Sequence, residues 1–569
     1  MTTVERVSVL PEHNRLSASK LAGQFNNKAG SSLMVAANGA TSRRPLWAGF
    51  LRSAENFPDR PAVVAEKKTV SYVELRDLAR RIAATIQRHP EFSSTQLTAV
   101  FAYRSPTAFA GVLGALLAGN GYVPLNRTFP EGRTQVMFER SECRSLIVDA
   151  NSLPQLNGLL EHASERVLVI LPDLSDVSPL EAKWPMHSFA GAEELRPASQ
   201  WQEPTIENDS LAYLLFTSGS TGTPKGVAVA QRNVVSFLDY MVERYEVTEQ
   251  DRFSQMFDMT FDLSAFDMFV AWERGACVCC PSQKELIKPD SFIKNNNLTM
   301  WFCVPSTAVF MKQLGLLKPG HYPQLRVSLF CGEPLPVSSV QAWSYAAPNS
   351  IVENLYGPTE LTIACTLYRW DAQRSAAESE MGIVPIGYPY PGMKYLVVDE
   401  ELGEVPPGEH GELLMSGPQM SLGYWKDAKK TADAFITVPG RTDVYYRTGD
   451  RVRRPRSSAP LIHLGRIDSQ IKVLGHRVEL GEIEAVVRKH CGSDTVVAVG
   501  WPSTPSGYGG VEVFIESRGE IHHLRDAVRS DLPEYMVPRR FHFKDRLPRN
   551  PNGKLDRTAI SKSLDGKHD

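Results

Sequence analysis

The stretch LAYLLFTSGSTGTPKGVAVA, residues 211–230, decides the reading of this chain. An apolar, β-prone run leads straight into Thr217, Ser218, Gly219, Ser220, Thr221, Gly222, Thr223, Pro224, Lys225 and Gly226. Glycines let the backbone approach a ligand closely, hydroxyls and free N–H groups surround phosphate oxygens, and a lysine adds a cation. This is the composition of a phosphate-holding loop at the end of a buried strand. Its spacing is not that of the Walker loop, in which Gly-Lys-Ser/Thr follows the first glycine at a fixed interval, so an ordinary P-loop ATPase is disfavoured. Gly and Ser also fill plain surface turns, so the loop alone leaves that reading open.

Outward from this segment, β-rich runs such as LTAVFAY (97–103) and SLIVDA (145–150) alternate with helical ones such as VELRDLARRIAATIQRH (73–89), in which Leu75, Leu78, Ile82 and Ile86 share a face. Alternating strands and helices predict an α/β fold with a mostly parallel sheet covered on both sides. Residues 1–45, rich in Ser, Asn, Ala and Gly, read as a mobile N-terminal extension, and folded pattern begins near Pro45. At 441–470 a hairpin-like segment carries a basic loop with Arg451, Arg453, Arg454 and Arg456, which fits a solvated tip better than a docking site for an acidic partner. Beyond it, GEIEAVVRKH (481–490) predicts an amphipathic helix, and VVAVGWP and VEVFIES predict strands. A boundary near Asp468 divides a core over 46–467 from a small α+β domain over 468–569.

The chain has 569 residues, enough for several lobes, with 62 Lys and Arg against 64 Asp and Glu. A net charge of −2 offers no field for nucleic acid or anionic lipid, so neither is expected as a partner. The first twenty residues lack the apolar stretch of a signal peptide, and no run of eighteen apolar residues occurs, so the protein reads as cytoplasmic with no membrane span. Eight Cys are sparse for a disulfide framework, and the Cys277, Cys279, Cys280 cluster reads as buried strand rather than zinc site.

Seven further segments follow in a fixed order around the loop: RSPTAFAGVLGALLAGNGYVPL (104–125), FDLSAFDMF (261–269), NLYGPTE (354–360), GELLMSGPQMSLGYW (411–425), YYRTGD (445–450), GRIDSQIKVLGHRVELGEIE (465–484) and LPRNPNGKLDR (547–557). With the loop they resemble the adenylate-forming enzymes, which include amino-acid adenylation domains of nonribosomal peptide synthesis, acyl-CoA and aryl-CoA ligases, and luciferases. The resemblance covers about residues 45–560 and implies a large multi-lobed N-terminal portion with a small C-terminal domain that rotates about a hinge. It implies ATP and Mg²⁺ as cofactors. The 217–225 loop, with Thr217, Ser218, Gly219, Ser220, Thr221, Gly222 and Lys225, would hold the β- and γ-phosphates. Glu360, with Thr217 and Thr359, would hold Mg²⁺ and the α-phosphate, and Tyr356 and Gly357 would meet the adenine. Asp450 would accept the ribose hydroxyls with Arg466 assisting, and Lys554 would be the catalytic lysine that bridges the attacking carboxylate and the phosphoryl group. Taken singly, Asp450 also fits a turn, Glu360 a helix cap and Lys554 an exposed turn lysine. Gln231, where many relatives carry His, and Asn126, where Asp is common, are departures that bear on ligand geometry.

The resemblance places Asp262 where amino-acid-activating members pair a carboxylate with the substrate's ammonium group, although a structural carboxylate is the open alternative. The pocket lining it implies is Leu263, Phe266, Cys303, Leu329, Cys331, Leu355, Ile363 and Ala364, with no second charge, which suits a small or medium neutral side chain. LFCGEPLPV (329–337) is similar to D-alanine:carrier-protein ligases. Asp468 is the implied hinge, and Lys472 and Gly475 line the thiol's approach. No Gly-Gly-x-Ser segment follows PNGKLDR and no His-His-x-x-x-Asp-Gly segment occurs, so the expected partner is a free-standing phosphopantetheinyl carrier protein. A CoA ligase, and a non-catalytic nucleotide-binding scaffold, are the alternatives.

Overall fold

The apolar run at Leu211–Thr217 forms a buried strand paired antiparallel with Lys225–Ala230, so the glycine-rich loop joins two neighbouring strands. The structure, a computed structural model, describes residues 44–92, 96–218, 224–468, 470–493, 495–517, 523–549 and 555–565. Gly219, Ser220, Thr221, Gly222, Lys554 and all but the last two residues of the expected N-terminal extension lie outside this set.

Leu211–Thr217 belongs to an eight-stranded sheet in which Gly121–Leu125, Leu97–Phe101, Ser145–Val148, Leu168–Leu171 and Ser188–Gly191 follow in parallel. Strands covered by helices on both faces must be apolar throughout, and every residue of Leu97–Phe101 and Ser145–Val148 is buried. The helix Tyr72–Arg88 starts at a capping box made by Ser71 and Glu74 and buries Leu75, Ile82 and Ile86, as their spacing predicts. A nine-stranded sheet holds the parallel strands Pro61–Ala65, Cys277–Cys279, Arg252–Ser254, Met300–Cys303, Val327–Cys331 and Ile351–Tyr356. Cys277 and Cys279 are buried in it, and no His, Cys, Asp and Glu group suited to a metal occurs among the described residues.

The hairpin expected over 441–470 is Val444–Arg453 paired with Ile462–Arg466, part of a third, antiparallel sheet. Its basic loop is answered within the chain: Arg453 pairs with Glu380 at 2.7 Å and Arg454 with Glu404 at 2.6 Å. Beyond it, the helix Leu480–Cys491 and the strands Val496–Gly500 and Val511–Glu516 close over a separate core containing Ile483, Val487, Val496, Val513 and Leu532. No helix among the described residues is long and apolar enough to cross a membrane.

Candidate active site

A cavity of about 370 Å³ opens where Leu211–Thr217, Val327–Cys331 and Ile351–Tyr356 end, the carboxyl edge at which open α/β sheets leave a crevice. Thr217, Ser218, Asp262, Leu263, Cys331, Leu355, Tyr356, Gly357, Thr359, Asp450, Arg466, Lys472 and Gly475 of the expected set line it. Glu360 and Lys225, joined at 3.4 Å, are not among the lining residues, but Glu360 pairs with Arg477, which is.

Glu360 is wholly buried and heavily partnered. Tyr424 donates its hydroxyl to Oε1 at 2.8 Å, and Arg477 pairs with Oε2 at 2.9 Å. Burial alone would raise this carboxyl, but the charges of Arg477 and Lys225 hold it well below the usual carboxylate range. Thr217 Oγ1 is buried with no hydrogen-bond partner among the described residues. Gly357 runs so close to Ala364 that a Cβ on it would stand 2.5 Å from the Ala364 Cα, so no side chain fits at this turn.

Asp450 is held by three partners that leave acceptor capacity on Oδ2. Tyr356 donates to its Oδ2 at 2.5 Å, and Arg466 and His463 meet its Oδ1 at 3.0 Å and 3.1 Å. Against the penalty of burial, the His463 hydrogen bond and the Arg466 charge keep it well below the usual range. Arg466 also grips Asp468 with both arms, Nε to Oδ1 at 2.7 Å and Nη2 to Oδ2 at 2.6 Å. One guanidinium thus spans the acceptor site and the expected hinge.

Asp262 is 7% exposed and faces the same cavity, receiving the Ile363 N–H at 3.2 Å. Burial pushes its carboxyl up to about 6, against opposing hydrogen bonds from Ile363 and Thr359. The expected pocket lining is only partly assembled. Leu263, Cys331 and Leu355 reach the cavity, whereas Phe266, Cys303, Leu329, Ile363 and Ala364 do not line it. Phe266, the first residue of the π-helix Phe266–Val270, turns into the core against Phe302, ring centroids 5.0 Å apart. Cys303 accepts the Trp301 indole N–H at 3.1 Å instead of facing a ligand. Ile363 contributes its backbone, not its side chain. The cavity also holds a charge the lining lacked: Glu333, whose carboxylate accepts the Ser306 N–H at 2.7 Å.

The hairpin Gln470–Val473 and His476–Glu479 closes the cavity from the C-terminal side. Gly475, at φ 85°, lies at its tip, where a Cβ would stand 2.4 Å from Val304 Cγ1. His476 stacks on Tyr535 at 3.7 Å and meets Phe261 edge-on at 4.8 Å. Behind it, Arg133 and Glu482 form an ion pair at 2.5 Å with side chains 6% and 1% exposed.

Arg477, Tyr424, His463 and Glu333 escaped sequence reasoning, although each lies inside or beside a quoted segment; only their spatial convergence marks them. The two departures, Gln231 and Asn126, each accept a backbone N–H within the chain. Gln231 Oε1 accepts the Leu46 N–H at 2.9 Å, and Asn126 Oδ1 accepts that of Thr128 at 2.8 Å.

A family model described as AMP-binding enzyme matches residues 50–425, and one described as AMP-binding enzyme C-terminal domain matches 482–554. The chain is similar to D-alanine–D-alanyl carrier protein ligase of Bacillus velezensis, 30% identical over 530 residues that cover 90% of this chain and 98% of that one. It is 31% identical to tyrocidine synthase 3 of Brevibacillus parabrevis over 519 residues, which are 90% of this chain but 8% of that protein. Among solved structures it resembles the Vibrio cholerae adenylation domain AlmE in complex with glycyl-adenosine-5′-phosphate, with a TM-score of 0.81 and 31% identity over 93% of this chain and 99% of that one.

Proposed function

The chain belongs to the AMP-binding enzyme family, and on that premise we propose that it activates an amino acid with ATP and passes the acyl group to the phosphopantetheine thiol of a separate carrier protein. The observation that carries this reading is Asp262, a buried carboxylate that opens on the same cavity as Asp450 and Arg466. A carboxylate raised by burial gains most from a fixed cation, and a substrate ammonium supplies one while fatty and aryl acids leave it unpaired. The D-alanine ligase and the glycyl-adenylate-bound domain both support a small neutral amino acid, as does the Leu263, Cys331 and Leu355 wall.

In the first half-reaction the substrate carboxylate oxygen attacks the α-phosphorus and pyrophosphate leaves. Asp450 accepts the ribose hydroxyls, Tyr356 and Arg466 hold that carboxylate in place, and Lys225 faces the phosphates. Lys554 bridges the attacking and transferred groups. Thr217, with its orphaned hydroxyl, and Glu360, kept ionised, suit Mg²⁺, which needs few protein ligands where phosphates complete its shell. When bound, the ion would neutralise charge on the leaving phosphates.

In the second half-reaction the carrier thiolate attacks the acyl carbon and AMP is expelled. We read residues 468–569 as the mobile domain that serves both steps. Supporting this, the hairpin at 470–479 stands in the cavity with Arg477 on Glu360, while Leu547, Leu555, Ile560 and Leu564 pack in a cluster none of whose members lines it. That is the arrangement expected of acyl transfer.

The test is amino-acid-dependent ATP–pyrophosphate exchange over a substrate panel, followed by loading of a phosphopantetheinylated carrier. Exchange with small neutral amino acids, and transfer to the carrier in preference to CoA, is the expected result. Strong activation of benzoate or a long-chain fatty acid, with CoA as acceptor, overturns it.

A further inference from the structure

A second cavity, of about 320 Å³, opens where the end of the helix Gln231–Arg244 meets the strand Thr366–Arg369, the edge strand Tyr388–Pro389 and the short helix Ser375–Glu378. It shares no lining residue with the active-site cavity. Three arginines face it, Arg244, Arg369 and Arg374, alongside the rings of Tyr240 and Tyr388.

Three carboxylates, Glu353, Glu378 and Asp371, stand among these arginines, but the pairing is uneven. Glu353, wholly buried, accepts Arg244 through Nε at 3.1 Å and Nη2 at 2.5 Å, Arg369 through Nε at 2.7 Å and the Tyr245 hydroxyl at 2.7 Å. One carboxylate therefore answers two guanidinium groups. Arg244 spends its Nη1 on the Tyr240 hydroxyl at 3.1 Å. Arg369 has no hydrogen bond from its two terminal nitrogens among the described residues, and its side chain is 48% exposed. Arg374, 73% exposed, has among the described residues only a 3.7 Å side-chain contact with Asp371, whose other oxygen is taken by the backbone N–H groups of Gln373 and Arg374. Glu378 is the one carboxylate among the lining residues, and Tyr368 donates to it at 2.5 Å. Arg369 and Arg374 keep unused planar donors at the rim of the recess, and such donors favour an oxyanion held bidentately. Leu367, Pro389 and the faces of Tyr240 and Tyr388 leave room for an apolar body beside it.

We propose that this cavity binds a small organic anion, a carboxylate or phosphate monoester with a flat apolar body, its oxygens on Arg369 and Arg374 and its body against Tyr240, Tyr388 and Leu367. The experiment is calorimetric titration of the full chain with phenyl phosphate and with benzoate, after the first cavity has been saturated with AMP. One equivalent of probe binds the wild type, and the stronger of the two probes identifies the oxyanion the site prefers. Arg369→Gln and Arg374→Gln each weaken binding about tenfold or more, the usual scale for losing a charge-assisted pair. Arg374 packs on little, so its variant keeps the wild-type Tm and guards against a folding artefact in Arg369→Gln. Absence of binding by both probes to the wild type, or unchanged affinity in both variants, overturns the proposal.

Discussion

Asp262 sets the pH behaviour expected of amino-acid recognition. Burial raises its carboxyl to about 6, so the empty site holds the neutral acid below that pH and the carboxylate above it. The charges facing it are Lys472, which favours ionisation, and Glu360, which opposes it. Only the ionised form pairs with an ammonium group, so kcat/KM for the amino acid should fall as pH drops through about 6, while the KM for ATP does not follow the same titration. Asp262→Asn should abolish that profile and cost roughly 100-fold or more in amino-acid kcat/KM, because it leaves a buried cation without its counter-charge. A profile unchanged in the variant assigns the titration elsewhere. His463 offers a second residue-level test. It touches Oδ1 of Asp450, the proposed ribose acceptor, at 3.1 Å. His463→Phe should raise the KM for ATP about fivefold, and His463→Gln, which keeps a donor, should restore most of it. The loss should shrink with 2′,3′-dideoxy-ATP, which has no ribose hydroxyls to present; an equal loss with both nucleotides marks His463 as structural packing only.

At the level of elements, the hairpin 470–479 sets Arg477 on Glu360, the carboxylate proposed above to serve the phosphates in the other half-reaction. Arg477→Met should leave amino-acid-dependent exchange within about twofold and lower single-turnover transfer to the carrier about tenfold or more, since a buried ion pair loses one partner in the docked arrangement alone. Equal loss of both activities refutes the anchoring role. The elements themselves were largely legible. The strands at 97–101, 145–148 and 211–217 and the helix at 72–88 follow from apolar runs and 3.6-residue spacing. The C-terminal helix and strands were legible for the same reason. The pocket lining was less so. Motif order locates Phe266 beside Asp262, but its ring turns into the core against Phe302 and Phe237, a packing that no local pattern encodes. Arg477 and Glu360 stand 117 residues apart, so their pairing depends on how two lobes meet.

At the scale of the whole molecule, Arg133–Glu482 and Arg477–Glu360 tie the small C-terminal domain to the large one, and the proposed boundary falls at Ile467 and Asp468. A swing of the small lobe must break both pairs and change backbone angles at very few residues. Asp468 suits that duty in two ways. Its carboxylate is clamped by Arg466 and also accepts the Gln470 N–H at 3.1 Å, so it holds the present arrangement; as an unbranched polar residue it also tolerates more than one backbone state. Proline there would fix φ near −65°, remove the N–H and delete the carboxylate together. Because the clamp belongs to the arrangement with the hairpin in the cavity, Asp468→Pro should lower carrier loading about tenfold more than it lowers pyrophosphate exchange, a difference of about 1.4 kcal/mol between the two half-reactions. Asp468→Asn separates clamp from pivot, since it weakens the ion pair and keeps the backbone free; both of its activities should stay within about threefold of wild type, the range of an exposed ion pair. Exchange and loading are measured side by side on the same preparations. Loss of both activities in equal proportion in the proline variant, or of neither, places the pivot at another residue, and a matching imbalance in Asp468→Asn assigns the effect to the clamp with Arg466.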